Sequence, residues 1–455
     1  MHVALAALSF PSPRVFLEFP EEDLPPPRSN SWEDLLLFVF VAESRSFSSL
    51  AAFFFLFRMA VQSRPAGFPS FASPPKRDRH TKERIPRSLL QLQSSTATTS
   101  ESAAALERQN ICKLSALLKD TNLLPERYVI PESHRARLSH DAFLPEVELP
   151  MIDFETLKSG AGTEILAREV GNACRDWGFF QIVNHGVPGD LIQEMLLHAD
   201  QFFHLPYRQK EKAAIFPRPL GYNGRYTDLS SSAPWVEAMA MQQTPYSTVD
   251  KTVDRVWPGE GNPRLRRALR RYHAEMEKLG QSVVQLIALS LGLERRTFSR
   301  HFEESSSTFR WNHYPPCPLP SKALGLLAHS DPSAITILHQ DSVGGLQIRK
   351  DGRWIAVKPR PDTFVINLGD VFQAWTNGRY KSVEHRAVVN QKQGRLSMVF
   401  FYGPQEDYVI TPPDELIDED HPLRYRPFTW GDYSAARLSI PAHGKRHLDV
   451  FAGAL

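Results

Sequence analysis

Histidine and aspartate recur along this chain in the pattern His-x-Asp. Because a β-strand points alternate side chains to one face, this spacing sets an imidazole and a carboxylate about 7 Å apart on that face. Such a pair can bind one metal ion. The pattern occurs four times, at His198/Asp200, His329/Asp331, His339/Asp341 and His447/Asp449. We expect at least three of these to be coincidental, so the surrounding sequence has to discriminate.

Residues further along the chain favour the second triplet. A non-haem iron site that activates oxygen uses two imidazoles and one carboxylate on one face of the metal and leaves the opposite face open. His385, at the start of a later strand pattern, could join His329 and Asp331 as the second imidazole. Arg395 and Ser397 follow with strand spacing. A guanidinium and a hydroxyl on one strand face can bind a carboxylate through a fork and a third hydrogen bond.

The other triplets differ in how well they compete. His198 lies in a helical pattern without such downstream residues, and His447 has little chain after it. His339/Asp341 is the serious alternative because it shares His385 and the Arg-x-Ser pair with His329. A single histidine is more often a surface or core residue than a ligand. The residue pattern alone therefore does not decide whether His329 or His339 is the metal ligand.

Helical patterns precede the region that carries these residues. Residues 165–177 and 264–291 have apolar side chains at steps of three and four, which predicts two helices. Residues 149–154 and 178–183 are typical of short strands. We interpret this part of the chain as a scaffold for the strands that follow.

From Phe309 onward the apolar period changes to two. Short strands are predicted at 336–339, 345–348, 354–357, 363–367, 385–389 and 397–401, with turns at Gly344-Gly345, Asp351-Gly352 and Asn377-Gly378. Many short strands at nearly even spacing indicate an antiparallel sandwich or barrel. The predicted fold class is α+β, with a double-stranded β-helix (jelly-roll) core flanked by an N-terminal helical scaffold.

Composition excludes several classes of protein. The 455 residues contain 53 Lys+Arg and 51 Asp+Glu, and a net charge of +2 provides no field for binding nucleic acid. Cys112, Cys174 and Cys317 cannot form a disulfide framework, which fits a reducing compartment. We expect a cytoplasmic protein, with the nucleus as a further location, that acts as a monomer on a small molecule.

Residues 1–105 differ from the rest by being rich in Pro, Ser and Thr, which predicts disorder. The apolar runs 35–42 and 50–57 are too short to span a membrane, because a spanning helix needs about 20 residues. Residues 61–100 are basic, so an organelle-targeting peptide is the alternative interpretation. A third interpretation is that translation starts at Met59 and the upstream part is absent.

Residues from about 149 to 435 resemble the plant 2-oxoglutarate/Fe(II)-dependent dioxygenases. The blocks that carry the resemblance occur in family order at 177–186, 310–317, 329–332, 377–386 and 395–397. The block at 310–317 is similar to the family's Asn-Tyr-Tyr-Pro-x-Cys element, with His313 in place of the first tyrosine. The block at 329–332 matches the family's metal-binding dyad, which selects His329 over His339.

The resemblance implies specific roles. His329, Asp331 and His385 would bind Fe(II), and no other residue would be needed for catalysis. Arg395, Ser397 and Tyr314 would hold the distal carboxylate of 2-oxoglutarate, which with O₂ is the co-substrate, and ascorbate is expected as reductant. The implied organisation is an N-terminal extension at 1–105, a helix and strand region at 106–300, the jelly-roll core at 301–435 and a tail at 436–455. His313 is expected to change pocket shape more than co-substrate binding.

Within the family the chain is most similar to gibberellin oxidases of the 20-oxidase type. Pro234-Trp235-Val236-Glu237 matches only part of their Leu-Pro-Trp-Lys-Glu-Thr element. The resemblance implies hydroxylation or desaturation of a plant small molecule, with a gibberellin-type carboxylated diterpenoid as the first expectation. Flavonoids, alkaloids and phenolics are the alternative substrates, and a catalytically inactive small-molecule-binding homologue is the alternative class.

Overall fold

The structure, a computed structural model, describes residues 110–132, 135, 148–159, 162–215, 220–224, 232–243, 245–259, 261–303, 305–439 and 447–453. The predicted extension at 1–105, with its apolar runs and its basic segment, lies outside these residues. Within the described ranges, no helix combines the length and the apolar character needed to cross a membrane.

Fourteen strands are found in the described residues. In chain order they are β1 Met151–Asp153, β2 Phe179–Val183, β3 Gly221–Asn223, β4 Glu237–Gln242, β5 Ser306–Tyr314, β6 Leu326–His329, β7 Ile335–Gln340, β8 Leu346–Lys350, β9 Arg353–Ala356, β10 Phe364–Leu368, β11 His385–Ala387, β12 Arg395–Gly403, β13 Val409–Ile410 and β14 Phe428–Thr429. The α-helices of the same residues are α1 Ile111–Leu118, α2 Glu155–Ser159, α3 Thr163–Asp176, α4 Gly189–His204, α5 Tyr207–Lys210, α6 Tyr246–Val256, α7 Pro263–Ser290, α8 Asp370–Trp375 and α9 Trp430–Ser439.

Two sheets make up the core. The larger has the order β1-β2-β10-β7-β12-β5-β4-β3 and the smaller has the order β6-β11-β8-β9, while β13 and β14 form a separate pair. Every pair of strands in the two sheets is antiparallel except β1 with β2. The predicted α+β class with a jelly-roll core is confirmed.

The two faces of the large sheet have different neighbours because side chains alternate along each strand. On β12, Met398, Phe400 and Tyr402 belong to the main apolar core, which also contains the buried stripe of α7. Arg395 and Ser397 point to the other face, which is the interior of the jelly roll. The helical scaffold therefore covers one side of this sheet and leaves the other side to the polar residues of the site.

The predicted helices and hairpin have local causes. Helix α7 begins after Asn262, whose side chain accepts a hydrogen bond from the Leu265 amide at 3.0 Å, and Pro263 occupies its first position. Between β8 and β9, Asp351 and Gly352 have φ angles of 50° and 74°, as a two-residue hairpin turn requires.

One predicted turn is present but has a different setting. Asn377-Gly378 does not join two strands but follows helix α8, Asp370–Trp375, which the pattern analysis missed. All six residues of α8 are buried, so the helix has no polar face and no amphipathic period to reveal it.

The described part of the C-terminal segment packs on the core. Helix α9 extends to Ser439, and a 3₁₀-helix spans His447–Phe451. Leu448 is buried, and Phe451 stacks on Phe428 with 4.3 Å between ring centroids. Leu448 and Phe451 therefore pack on the core, and the boundaries at 106–300, 301–435 and 436–455 stay predictions.

Candidate metal centre and co-substrate clamp

Two neighbouring strands bring the predicted imidazoles together. His329 ends β6 and His385 begins β11, and the two residues lie directly opposite each other in the antiparallel pair. Their ring centroids are 4.3 Å apart. Asp331 follows β6, and its Oδ1 lies 3.5 Å from His329 Nε2 and 3.6 Å from His385 Nε2. The three ligand atoms therefore converge on one point, as the sequence pattern predicts.

The other ring nitrogens define where the protons are. His329 Nδ1 lies 2.8 Å from the Leu327 carbonyl, and His385 Nδ1 lies 3.1 Å from the Val383 carbonyl. A carbonyl oxygen only accepts, so each Nδ1 must donate, and in the neutral ring Nε2 then carries a lone pair. Burial lowers the pKa of His385 to about 4, which keeps this imidazole neutral.

Hydrogen bonds also fix the Asp331 carboxylate and leave one of its oxygens for a metal. Asp331 is 3% exposed, and its Oδ2 accepts hydrogen bonds from Thr336 Oγ1 at 2.7 Å and Asn367 Nδ2 at 2.8 Å. Burial alone would raise its pKa, but the imidazoles of His385 and His329 and the Asn367 amide outweigh burial and lower it. Oδ1 therefore faces the imidazoles as an ionised oxygen.

When both rings are neutral with the proton on Nδ1, lone pairs on two nitrogens and one oxygen face one another here. Such a group repels itself unless a cation lies among its members. Two imidazoles and one carboxylate on one side of a metal form the donor set of non-haem Fe(II) oxygenases. The residues present therefore fit Fe(II), and His329, Asp331 and His385 are the side chains that could hold it.

A second layer fixes the ligand loop. The Asp370 amide donates to the Asp331 carbonyl at 2.8 Å, and the Asp370 carboxylate accepts from Ser330 Oγ at 3.1 Å and from Tyr433 OH at 2.6 Å. These contacts attach the loop to α8 and to the C-terminal α9. No sequence pattern pointed to them, because the partners lie far apart in the chain.

The predicted clamp residues also lie together. Arg395 is opposite Tyr314 and Ser397 is opposite Asn312 in the pairing of β12 with β5. Arg395 is 4% exposed, its Nη2 donates to Gln340 Oε1 at 2.9 Å, and its guanidinium carbon lies 5.0 Å from the Tyr314 ring centroid. Asn312 Nδ2 donates to Ser397 Oγ at 3.4 Å.

The clamp carries a buried positive charge that forms no direct ion pair with a described residue, although the charge of Asp341 interacts with it. No carboxylate of the described residues lies within ion-pairing distance of Arg395. Its Nε is buried without a hydrogen-bond partner, and so is Gln340 Nε2. A buried cation of this kind is costly unless an anion joins it. The arrangement therefore fits a carboxylate ligand, which would take up these free donors.

The competing triplets are arranged differently. On β7, Thr336 and Gln340 point to the interior, so His339 points to the opposite face. Asp341 accepts hydrogen bonds from the amides of Leu396 and Val343. Neither His198/Asp200 nor His447/Asp449 belongs to a group of potential metal ligands among the described residues.

Sequence reasoning missed the polar partners of the site, namely Thr336, Gln340, Asn367 and Asn312. The alternation of side chains along a strand could have indicated three of them. Thr336 and Gln340 lie on the same strand face as Leu338, and Asn312 lies on the same face as Tyr314. Asn367 ends a predicted apolar strand and gave no comparable indication.

Comparisons with known proteins agree with this geometry. The sequence profile of the 2OG-Fe(II) oxygenase superfamily matches residues 305–404. The profile described as non-haem dioxygenase in morphine synthesis N-terminal matches residues 149–260. Gibberellin 20 oxidase 1-B of Triticum aestivum is 40% identical over 323 residues, which cover 70% of this chain and 87% of that protein. Jasmonate-induced oxygenase 2 of Arabidopsis thaliana is 38% identical over 341 residues, which cover 73% and 91% respectively.

A solved structure has the same architecture. The crystal structure of JOX2 in complex with 2OG, Fe and JA aligns with a TM-score of 0.63 and 34% identity, covering 77% of this chain and 97% of that one. The fold of this chain is therefore that of the 2OG-Fe(II) oxygenases. The chain belongs to the 2OG-Fe(II) oxygenase superfamily. It is accordingly an oxidoreductase of a family that uses Fe(II) and 2-oxoglutarate.

Proposed function

We propose that this enzyme hydroxylates or desaturates a carboxylated plant small molecule, with a gibberellin-type diterpenoid acid as the first candidate. The relatives named above include a gibberellin 20 oxidase and a jasmonate-induced oxygenase. Gibberellins and jasmonates are both carboxylates on a largely hydrocarbon skeleton. A substrate of this kind needs a cationic group and an apolar wall near the metal.

The proposal depends on the position of Arg310, which supplies a cationic group on the interior face. It lies on the same face of β5 as Asn312 and Tyr314, opposite Val399 of β12 and Ala240 of β4. Its Nε donates to Asn312 Oδ1 at 2.7 Å, and the side chain is half-buried. Among the described residues, no acidic side chain forms an ion pair with it. A partly buried guanidinium beside a neutral amide is suited to a carboxylate.

The interior also provides an apolar surface. Part of this surface is a cluster of buried residues, which consists of Leu149, Phe179, Leu338, Leu346, Ile348, Ile355, Val357, Val365 and Val399. The half-buried Trp177, Val383 and Phe401 pack against this cluster. Burial of hydrocarbon on such a surface contributes about 25 cal/mol per Å². The interior therefore suits a substrate with a large apolar skeleton and one acidic group.

The proposed roles follow from these contacts. His329, Asp331 and His385 hold Fe(II), and Arg395, Ser397 and Tyr314 hold the distal carboxylate of 2-oxoglutarate. When bound, the ferrous ion couples decarboxylation of 2-oxoglutarate to succinate with oxidation of the substrate by O₂. Gln340 orients the Arg395 guanidinium, and the apolar cluster excludes water. We expect ascorbate to sustain turnover and the monomeric enzyme to act in the cytoplasm.

The matching and the departing residues of the element at 233–238 have different surroundings. Trp235 is buried, and its Nε1 donates to the Pro315 carbonyl at 3.0 Å. Glu237 lies opposite His313 in the pairing of β4 with β5, so it points away from the interior face that carries Tyr314. The matching Trp235 and Glu237 therefore support the sheet, whereas the departing Val236 packs in the cluster that contains Tyr314, and Ala238 lies opposite Asn312.

The test is a substrate panel of gibberellins, jasmonate, flavanones and simple phenolics. Mass spectrometry detects addition of one oxygen atom or loss of two hydrogens, and succinate formation is measured in parallel. We expect turnover of a carboxylated compound and weak turnover of its methyl ester. Arg310→Ala should raise the KM for the acid about 10- to 100-fold, because a charged hydrogen bond contributes about 1.5–3 kcal/mol.

Other results would favour the alternatives. Preferred turnover of an uncharged flavanone, unchanged in Arg310→Ala, would indicate a flavonoid or phenolic oxygenase. Arg310→Lys is the matched control, because it retains the charge and should lie between the native enzyme and Arg310→Ala. Binding of panel compounds without succinate formation would indicate an inactive small-molecule-binding homologue.

A further inference from the structure

A second group of potential metal ligands lies on the other face of β5. His313 is directly opposite Glu237 of β4, and Cys112 of α1 lies above both. His313 Nδ1 is 2.8 Å from Glu237 Oε1, while Cys112 Sγ is 2.6 Å from the same oxygen and 3.8 Å from His313 Nδ1. Because side chains alternate along β5, this group faces away from Tyr314 and from the iron ligands.

The carboxylate at its centre is fixed by its other oxygen. Glu237 is fully buried, and its Oε2 accepts hydrogen bonds from Lys210 Nζ at 2.6 Å and Tyr222 OH at 2.7 Å. Those two donors saturate Oε2 and leave Oε1 directed at the thiol and the imidazole. Cys112 and His313 are half-buried, so the group is reached from solvent.

We propose that Cys112, Glu237 and His313 form a second metal site, separate from the iron centre, that binds Zn²⁺. A sulfur, an imidazole nitrogen and a carboxylate oxygen are the donors that zinc takes in proteins. Zinc bonds of ordinary length would set the donor atoms about 3.3–3.5 Å apart. The two contacts of Oε1 would have to open by less than about 1 Å, and water would supply the fourth ligand.

Binding has a defined proton balance. Burial, with the Glu237 charge as a further cause, raises the pKa of the Cys112 thiol well above its usual range, so the free thiol is protonated. Zinc replaces the proton on sulfur, which leaves to solvent as the zinc–sulfur bond forms. The imidazole stays neutral when its proton occupies Nε2 and its Nδ1 lone pair binds the metal. Thiolate and carboxylate neutralise the dication, and Lys210 remains on Oε2.

One ligand of the proposed zinc site is a residue at which this chain departs from the family element. His313 stands where the element Asn-Tyr-Tyr-Pro-x-Cys has a tyrosine, and a tyrosine there would remove the nitrogen ligand. Zinc would link α1 to β4 and β5 next to Tyr314. Its expected effect is to stabilise the packing of α1 on the sheet, not to take part in oxidation.

The experiment is an anaerobic titration of the full chain with Co²⁺, the spectroscopic substitute for zinc. Native protein should bind two equivalents, one of which gives the near-ultraviolet sulfur-to-cobalt charge-transfer band. Cys112→Ser and His313→Tyr should each bind one equivalent without that band. A variant lacking an iron ligand, His329→Ala, should also bind one equivalent but keep the band. Zn²⁺ should replace Co²⁺ and abolish the band without further proton release, whereas Zn²⁺ binding to the metal-free site should release about one proton.

Cys317→Ser is the matched control, because Cys317 is another free cysteine but lies outside the group. Its band should equal that of the native protein. Circular dichroism of each variant establishes that it folds, and zinc should raise the melting temperature of the native protein and of Cys317→Ser by more than that of Cys112→Ser, which keeps only the iron centre. Absence of the band in the native protein, or its persistence in Cys112→Ser, would show a hydrogen-bonded thiol without a metal site.

Discussion

The two histidine clusters on opposite sides of the jelly-roll wall use similar side chains in different ways. In the cluster of His329, Asp331 and His385, backbone carbonyls take both Nδ1 protons, and the remaining lone pairs face one another. In the cluster of Cys112, Glu237 and His313, the Nδ1 of His313 itself faces the carboxylate. The first cluster needs a cation at neutral pH, whereas the second is held together by protons that a metal would have to displace.

The partners of the two carboxylates show the same contrast. Asp331 is held by the neutral groups of Thr336 and Asn367, so it keeps its charge for a metal. Glu237 is paired with the buried ammonium of Lys210 at 2.6 Å. We therefore expect loss of Asp331 to affect function and loss of Glu237 to affect stability.

The largest effect is expected for Asp331→Ala. It removes the only anionic ligand of the proposed iron centre, so Fe(II) binding and substrate-dependent succinate formation should fall at least about 1000-fold. The matched control is Asp449→Ala, an exposed residue of the His447/Asp449 triplet, which should retain native activity. Retained succinate formation in Asp331→Ala would show that the ligand assignment is wrong.

Glu237→Gln should leave iron binding largely intact but destabilise the protein. The substitution leaves the Lys210 ammonium buried without its carboxylate, a change that costs about 3–5 kcal/mol in unfolding free energy. Denaturant unfolding measures this loss. The double variant Glu237→Gln/Lys210→Met should recover a large part of it, because it buries no unpaired charge. Equal losses in the single and double variants would contradict the ion-pair explanation.

The same carboxylate predicts a pH dependence. Burial alone would raise the pKa of Glu237, but the His313 hydrogen bond and the Lys210 charge outweigh it and lower the pKa to about 2. A lowered pKa contributes stability above the unfolded value of about 4.3, and that contribution is lost as the pH falls toward 2. Native protein should therefore lose more unfolding free energy over this range than Glu237→Gln, which lacks the titrating group. Parallel pH profiles would contradict this assignment.

Arg395→Lys tests the proposed 2-oxoglutarate clamp, which lies in the same jelly-roll interior as the iron ligands. Lysine keeps the charge but cannot form the guanidinium fork, so the 2-oxoglutarate KM should rise about 10- to 100-fold. Arg349→Lys is a suitable control, because Arg349 forms an exposed ion pair with Glu384 at 2.8 Å. An unchanged 2-oxoglutarate requirement in Arg395→Lys would remove the clamp from the proposal.

The features that the sequence could predict are those that depend on residues close together along the chain. The α7 helix and the Asp351-Gly352 turn depend on neighbouring residues, and both were predictable. Helix α8 was missed because it is buried on all sides. The sequence did not show which face of β7 carries His339. The hydrogen bond from Thr336 to Asp331 places Thr336 on the interior face, so His339 lies on the opposite one. The cluster of Cys112 and Glu237 joins α1 to β4 across a long stretch of chain, and no local pattern encodes such a contact.

The smallest effect is expected for Tyr433→Phe, which removes one of the hydrogen bonds to Asp370 behind the iron ligands. The unfolding free energy should fall by about 1 kcal/mol. Because Thr336 and Asn367 still hold Asp331, the Fe(II) dissociation constant should rise no more than about fivefold. Tyr402→Phe is the control, since it loses the hydrogen bond from Gln281 away from the metal and should leave iron affinity unchanged. A much larger loss of iron affinity in Tyr433→Phe would mean that the C-terminal helix, and not the strands alone, positions the ligands, so that the iron cluster, like that of Glu237, depends on a distant partner.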